Sequence, residues 1–316
     1  PQELAFDDYG NLFTGDNNSD GGDKARLVHV VRGGDTGWRM YYQYLGDRGP
    51  WNREKLWHPK HEGQPAYLLP PICNFGDGPS GLTYYPGTGL GDAYQGKFFL
   101  CDFRGDAAIS GIRSFRFAAD GATFRLADSD RFLWSVLATD VDFGPDGAMY
   151  LTDWIEGWSG VNRGRVIRVT SEEDKELSNQ VQTLLAEKSA EWRVGQLRKF
   201  LEHKDRRIRQ KAQFELASRE AIRPLRKVIA ESDSVLAKLH ATWAFGQIAR
   251  VGSKPQRRTT STKALTELTS HASPIIRKAA LEGLEETGLP QVPSTLITAL
   301  ADQDATVRAA AAMAMS

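Results

Sequence analysis

An eight-residue pattern recurs through the second half of the chain and constrains its fold more than any other feature. Asp205-Arg206-Arg207-Ile208-Arg209-Gln210-Lys211-Ala212 reads as Asp, a β-branched residue followed by Arg, then Ala. Asp304 to Ala311 repeats it as DATVRAAA, and Ser273 to Ala280 as SPIIRKAA. Ser234 to Ala241 is a weaker copy with Lys238 in the place of Arg. The equivalent alanines 212, 241, 280 and 311 fall 29, 39 and 31 residues apart. One such period holds a helix pair, which cannot bury its apolar face alone. The spacing therefore predicts pairs stacked as a solenoid, with small Ala letting neighbouring helices approach.

The first half has a different composition. Residues 1–170 hold 25 of the 30 glycines, all nine tyrosines and six of the eight tryptophans. They carry 22 acidic and 17 basic residues, against 18 and 23 in residues 171–316, so the zero net charge is a sum of −5 and +5. A shift this sharp predicts a domain boundary near residue 170. Ser171 followed by Glu172, Glu173 and Asp174 reads as a helix start. The expected organisation is a β domain over 1–170, a linker and first helix over 171–189, and helical repeats over 190–316. The helical half resembles the HEAT-repeat family on the four copies above. Val251–Ser261 (VGSKPQRRTTS) reads as a basic, mobile loop within it.

Short apolar runs between turn residues predict strands in the first half: Leu4–Phe6, Asn11–Thr14, Arg26–Val31, Gly81–Tyr85, Lys97–Asp102, Ile112–Phe117, Asp140–Phe143 and Ala148–Thr152. Asp120-Gly121 and Asp146-Gly147 suit tight hairpin turns. Leu4–Asp16 and Val141–Asp153 share one strand–turn–strand plan, which suggests propeller blades of ~40–50 residues. Leu45–Pro71 breaks that rhythm and reads as a long inserted loop. The fold class is thus multidomain, β then α: about three blades of a six-bladed β-propeller, then an α-α superhelix.

Asp16-Asn17-Asn18-Ser19-Asp20-Gly21-Gly22-Asp23 places oxygen ligands at alternate positions before a glycine, as a Ca²⁺ loop does. Asp16, Asn18, Ser19, Asp20 and Asp23 are the candidate ligands. The twelfth position is Leu27, which excludes an EF-hand. The same residues suit a polar hairpin loop in which Asn and Asp cap turns.

Around this loop the chain resembles the glucose/sorbosone dehydrogenase family of soluble quinoprotein propellers. The resemblance rests on Leu4-Ala5-Phe6, Gly10-Asn11-Leu12, Asp16 to Leu27, Gly34-Asp35-Thr36-Gly37-Trp38, Pro79-Ser80-Gly81 and Gly96 to Leu100. The wording is closest to large secreted planctomycete and verrucomicrobial proteins that join such a propeller to HEAT repeats and often to a c-type haem domain. The resemblance implies a Ca²⁺ held by backbone carbonyls near Asn18 and Ser19, and a pyrroloquinoline quinone cofactor. Asp77, Arg104 and Asp140 are the cofactor-binding candidates it supplies. The family's R-x-R-D-V clamp falls at Leu137-Ala138-Thr139-Asp140-Val141, where both arginines are missing. Losing two guanidiniums removes much of the anchoring of a tricarboxylate. No CxxCH is present, so a haem c is expected only on a domain outside this chain. The start at Pro1 without Met and the small number of blades suggest a fragment of a longer protein. Export to the periplasm or cell surface follows from the resemblance alone; no signal peptide is visible.

Other groups have alternatives of their own. His58, His61 and Glu62 are a thin metal set. Cys73 and Cys101 read as buried free thiols, or as a pair if the fold brings them together. His240 reads as a packing residue, and Lys204–Lys211 as a solvated helix face. Trp38, Tyr41, Tyr42, Tyr44, Trp51 and Trp57 suit a sugar cleft or packing beneath the inserted loop. Balanced charge argues against a nucleic-acid binder, and no apolar run is long enough to span a bilayer. Two functions fit. One is a dehydrogenase-like propeller oxidising a sugar or alcohol and passing electrons to the haem domain. The other is a glycan- or protein-binding propeller with a HEAT-repeat docking arm.

Overall fold

The structure, a computed structural model, describes residues 2–18, 24–36, 69–160, 162–288 and 294–315. Ser19, Asp20 and Asp23, the paired histidines of the inserted loop and the Trp/Tyr group from Trp38 to Trp57 lie outside the described residues. The chain divides into two compact units. One comprises Pro1–Tyr85 and Gly89–Lys175, the other Pro86–Thr88 and Glu176–Ser316.

The first unit holds three antiparallel sheets, each with its strands in chain order. They are β1 (Leu4–Phe6), β2 (Leu12–Asp16), β3 (Arg26–Val30) and β4 (Cys73–Asn74); β5 (Gly78–Tyr84), β6 (Phe98–Phe103), β7 (Gly111–Asp120) and β8 (Thr123–Trp134); and β9 (Ala138–Phe143), β10 (Met149–Asp153) and β11 (Arg165–Val169). Among the described residues the sheets do not close a ring. The two hairpins sharing a sequence plan also share their turn. Asp7 N–H donates to Asn11 O and Gly10 N–H to Asp7 O; Gly144 N–H donates to Ala148 O and Gly147 N–H to Gly144 O. Gly10 and Gly147 take φ of 81° and 76°, which a side chain rarely adopts.

Alternation along β6 builds two cores from one strand. Phe98 and Leu100 join Phe13, Leu27 and Phe115 on the side of the first sheet. Phe99 and Cys101 join Tyr85, Val141 and Met149 on the side of the third. Ring pairs such as Phe13–Phe98, 5.1 Å apart and edge-on, and Phe99–Phe143, 5.6 Å apart, each add about 0.5–1.5 kcal/mol to burial. Both cysteines are free thiols.

The second unit contains α1 (Lys175–Ala186, beginning at the boundary), α2 (Val194–Phe200), α3 (Arg206–Ser218), α4 (Ile222–Glu231), α5 (Val235–Val251), α6 (Pro255–Leu268), α7 (Pro274–Glu285), α8 (Ser294–Ala299) and α9 (Ala305–Met313). The second helices of the pairs pack in a row, α3 on α5, α5 on α7 and α7 on α9. Every sequence-equivalent Ala, at 212, 241, 280 and 311, is 0% exposed. So are Ile208, Ala237, Ile276 and Val307 one turn earlier.

The repeated arginine has a fixed task. Arg209 Nη1 donates to the carbonyls of His203 and Lys204 at 2.8 and 2.7 Å. Arg277 Nη1 reaches His271 O and Ala272 O at 2.9 and 3.0 Å, and Arg308 Nη1 reaches Asp302 O and Gln303 O at 2.7 and 3.0 Å. In each copy the side chain folds back five and six residues and ties the turn to the helix it precedes. His240 is buried as expected, yet it is more than packing: it bonds Gln213 Oε1 at 2.6 Å and accepts from Arg209 Nε at 3.3 Å. Burial, with Arg209 and Arg206 nearby, pushes it down to about 3, so it stays neutral.

The segment read as a mobile loop is instead the start of a helix. Pro255 occupies the first turn of α6, where its fixed φ suits a helix and its missing N–H costs nothing. Ser261, Ala264, Leu265 and Leu268 form the buried stripe, and the basic run is its solvent face.

The turn residue two places before each pattern accepts the N–H that opens it. His203 Nδ1 takes Asp205 N–H at 3.0 Å, Ser232 Oγ takes Ser234 N–H at 3.2 Å, His271 Nδ1 takes Ser273 N–H at 3.0 Å, and Asp302 Oδ1 takes Asp304 N–H at 2.9 Å. An imidazole can accept at Nδ1 only when that atom is unprotonated. Burial holds both His203 and His271 below the ordinary 6.5. A depressed folded value means that their contribution is fully present above the ordinary value. It is lost as pH falls through that value toward the folded one. The melting temperature should therefore drop between about pH 7.5 and about pH 5. A His203→Ser, His271→Ser double variant, with Ser as in Ser232, should show a smaller drop. An unchanged pH profile in that variant would contradict this role.

Candidate functional site

The polar centre of the β-sheet unit is Asp102 on β6, which is 0% exposed. A carboxylate there needs its lone pairs filled, because an uncompensated buried charge is costly. Four donors meet it. Arg113 Nε donates to Oδ2 at 2.6 Å, Arg104 Nη2 to Oδ2 at 3.1 Å, Arg104 Nε to Oδ1 at 3.2 Å, and Asp77 N–H to Oδ1 at 2.9 Å. Strand register makes this possible. Asp102 pairs with Gly111, two residues from Arg113, so both side chains leave one face of the sheet. Arg113 also lies 5.3 Å from the ring centres of Phe75 and Trp134, and Arg131 lies 4.3 Å from Trp134. Asn18 joins through its Nδ2, which donates to Asp77 Oδ1 at 2.6 Å.

Three residues singled out in the sequence, Asn18, Asp77 and Arg104, thus meet through an aspartate that was not. Asp16 is placed in a neighbouring ion pair with Arg26, its partner in the β2–β3 register. Asp140 lies apart from the Asp102 network, close to Glu3, and its Oδ1 accepts from Val141 N–H at 2.8 Å. Glu3 Oε2 also accepts from Leu82 N–H at 2.6 Å, and Asp142 Oδ1 accepts from Thr83 Oγ1 at 3.1 Å. Burial raises the Glu3 carboxyl; the Leu82 N–H opposes that, and Asp140 and Asp142 add to it. Cys101 lies on the side of β6 facing this pair. Burial foremost, then Asp140 and Glu3, push its thiol up, which leaves it unreactive as a nucleophile.

The carboxyl pair depends on close passage of β5 and β9. A Cβ on Gly81 would sit 2.8 Å from the Asp140 Cα and 3.1 Å from the Val141 N. Backbone cannot yield as a flexible side chain can, so Gly81→Val should destabilise the unit by about 3 kcal/mol or abolish its folding. Urea denaturation would measure this, and a loss within 0.5 kcal/mol (about the noise of a surface change) would contradict the packing.

What can this arrangement hold? Among the described residues no group of three or more His, Cys, Asp or Glu is arranged for a metal ion. For a quinone tricarboxylate, the two arginine positions of the clamp hold Leu137, 0% exposed in the core, and Thr139, partly buried with its Oγ1 2.8 Å from Thr152 Oγ1. Leu137 N–H is bonded to Asp153 Oδ1 at 3.0 Å. Arg104 is forked onto Asp102, so these residues do not fit that cofactor. Asp102 and Arg113 escaped the sequence reading because they lie mid-strand in apolar stretches. The only signal was an acid two residues before Arg104 in an otherwise apolar run.

The family described as HEAT repeats matches residues 222–316. A solved structure titled as a glucose dehydrogenase aligns at a TM-score of 0.39 and 20% identity, over 54% of this chain and 45% of its own. The match thus spans less than half of that protein. No curated protein matches the chain.

Proposed function

We propose that this chain works by binding rather than by turnover: a propeller-type β unit serves as scaffold, and the HEAT-type helical unit is the arm that engages a protein partner. The observation carrying this reading is the use already made of the candidate cofactor residues. Arg104 and Arg113 neutralise Asp102, and the two arginine positions of the clamp hold a core leucine, Leu137, and Thr139, neither of which can form an ion pair with a carboxylate. The Asp102 network reads as a structural lock of the sheet. Helical repeats, by contrast, present long regular surfaces suited to proteins.

A dye-linked oxidation assay tests this. The full chain is supplied with Ca²⁺, pyrroloquinoline quinone, sugars or alcohols, and an artificial electron acceptor. No reduction of the dye above the protein-free rate is expected. Turnover that Arg104→Gln removes would replace this reading with the dehydrogenase one.

A further inference from the structure

Trp158 is 69% exposed, more than any other aromatic side chain among the described residues. An indole left in water forgoes a large gain from burial. This one is held in place all the same. Its ring meets Trp154 edge-on at 5.0 Å and Phe103 edge-on at 5.4 Å, and Phe103 and Trp154 stack at 6.1 Å. Gly105 forms a floor beneath the indole, since a Cβ there would lie 3.1 Å from Trp158 Cζ3. The patch is built from two loops in mid-chain. Residues 154–160 follow β10 and pack on residues 103–105 at the end of β6. Trp158 therefore lies against the second sheet, away from both chain ends and from any free strand edge.

The loop that presents it carries strain. Ile155 has a φ of 58°, a conformation costly for a β-branched residue. Asp153, 3% exposed, imposes it. Its Oδ1 accepts from Leu137 N–H and Ile155 N–H, both at 3.0 Å, and its Oδ2 from Arg165 Nε at 2.7 Å. Such outliers persist only where the surroundings over-determine them, and they cluster at ligand sites. One 3₁₀ turn, Gly157–Ser159, then brings Trp158 to the surface. The same loop exposes a carboxylate, a hydroxyl and a guanidinium, on Glu156, Ser159 and Arg163. Arg163 Nη1 meets Glu156 Oε1 at 3.3 Å. Their charges cancel, so the rim favours neither an anion nor a cation, yet it offers donors and acceptors side by side.

The geometry points to a saccharide-binding platform on this loop. The open face of Trp158 takes the C–H face of one pyranose unit, and Glu156, Ser159 and Arg163 take its hydroxyls. A rigid apolar plane with a neutral, mixed hydrogen-bonding rim complements a β-linked chain of glucose or xylose units. The ring substituents of those sugars are all equatorial, which leaves their axial hydrogens as an apolar face. The inference goes beyond the scaffold reading of the β unit and uses neither the helical arm nor quinone nor Ca²⁺. Either can therefore fail without the other.

Saturation-transfer NMR of the full chain with cellotetraose and with xylotetraose is the test. Both sugars should bind with a Kd of about 1 mM, with transfer strongest to the ring protons of one face. Trp158→Ala should weaken binding at least about tenfold, and Trp158→Phe about threefold. The melting temperature of Trp158→Ala should stay within about 2 °C of the parent, because the ring is mostly in water, so lost binding is not lost folding. No transfer to either sugar at about 10 mM would overturn the proposal, as would binding indifferent to Trp158→Ala. Sedimentation should show a monomer. A dimer lost in Trp158→Ala would put a second copy on this face and overturn the assignment to a saccharide.

Discussion

Asp102→Ala is expected to destabilise the β-sheet unit by about 3–5 kcal/mol, the cost of leaving buried charge without its partner. The carboxylate takes four hydrogen bonds from three residues: Asp77 just before β5, Arg104 just after β6 and Arg113 on β7. Removing it strands the Asp77 N–H and places two guanidiniums beside each other. Arg113 is only 19% exposed at its side chain, so water replaces the lost partner poorly. Asp102→Asn keeps the shape and two acceptor lone pairs but not the charge, and should lose less. Urea denaturation followed by tryptophan fluorescence would report it, since Trp134 lies against Arg113. A loss below about 1 kcal/mol for the alanine variant, the range of an exposed ion pair, would contradict the role given to this residue.

The second large effect belongs to the helical repeats. Arg209→Met should cost the helical unit about 2–4 kcal/mol, because it leaves several buried acceptors unpaired at once. Arg209 is 2% exposed and binds two turn carbonyls and His240 together. Methionine fills the stem's volume, so the loss reports hydrogen bonds rather than a cavity. Thermal unfolding followed by circular dichroism would measure it. Lys238→Met, at the same pattern position but with no such return bonds among the described residues, should change stability by less than about 1 kcal/mol. Equal losses at the two positions would contradict the turn-tying role.

These two residues also mark how far the sequence could be read. Arg209 was visible as a repeat letter, because the solenoid uses arginine for the same task in three of the four copies. The residue two places before each pattern was not visible. His203, Ser232, His271 and Asp302 differ in chemistry and share only an acceptor atom at one place. Helix α6 was missed because its solvent face dominates the letters and its buried stripe is small, Ser261 and Ala264 among it.

In the β unit, the short apolar strands and the hairpin turns at Gly121 and Gly147 were legible from alternation and turn residues. Strand β8 was not, since much of it is charged and exposed. It was recruited by pairing along the whole of β7. The candidate site was half legible. Asn18, Asp77 and Arg104 were found one by one. What unites them is Asp102, buried by a register that no linear pattern reveals. Asp140 belongs to another group because β9 crosses Gly81, a contact between distant strands.

The central claim, that the β unit is a scaffold whose arginines are already committed, is tested most directly by calorimetry. The full chain is titrated with pyrroloquinoline quinone in the presence of Ca²⁺. The account predicts no saturable heat at micromolar quinone, and the same flat trace for Arg104→Gln. Micromolar binding that requires Ca²⁺ and disappears in Arg104→Gln would contradict it.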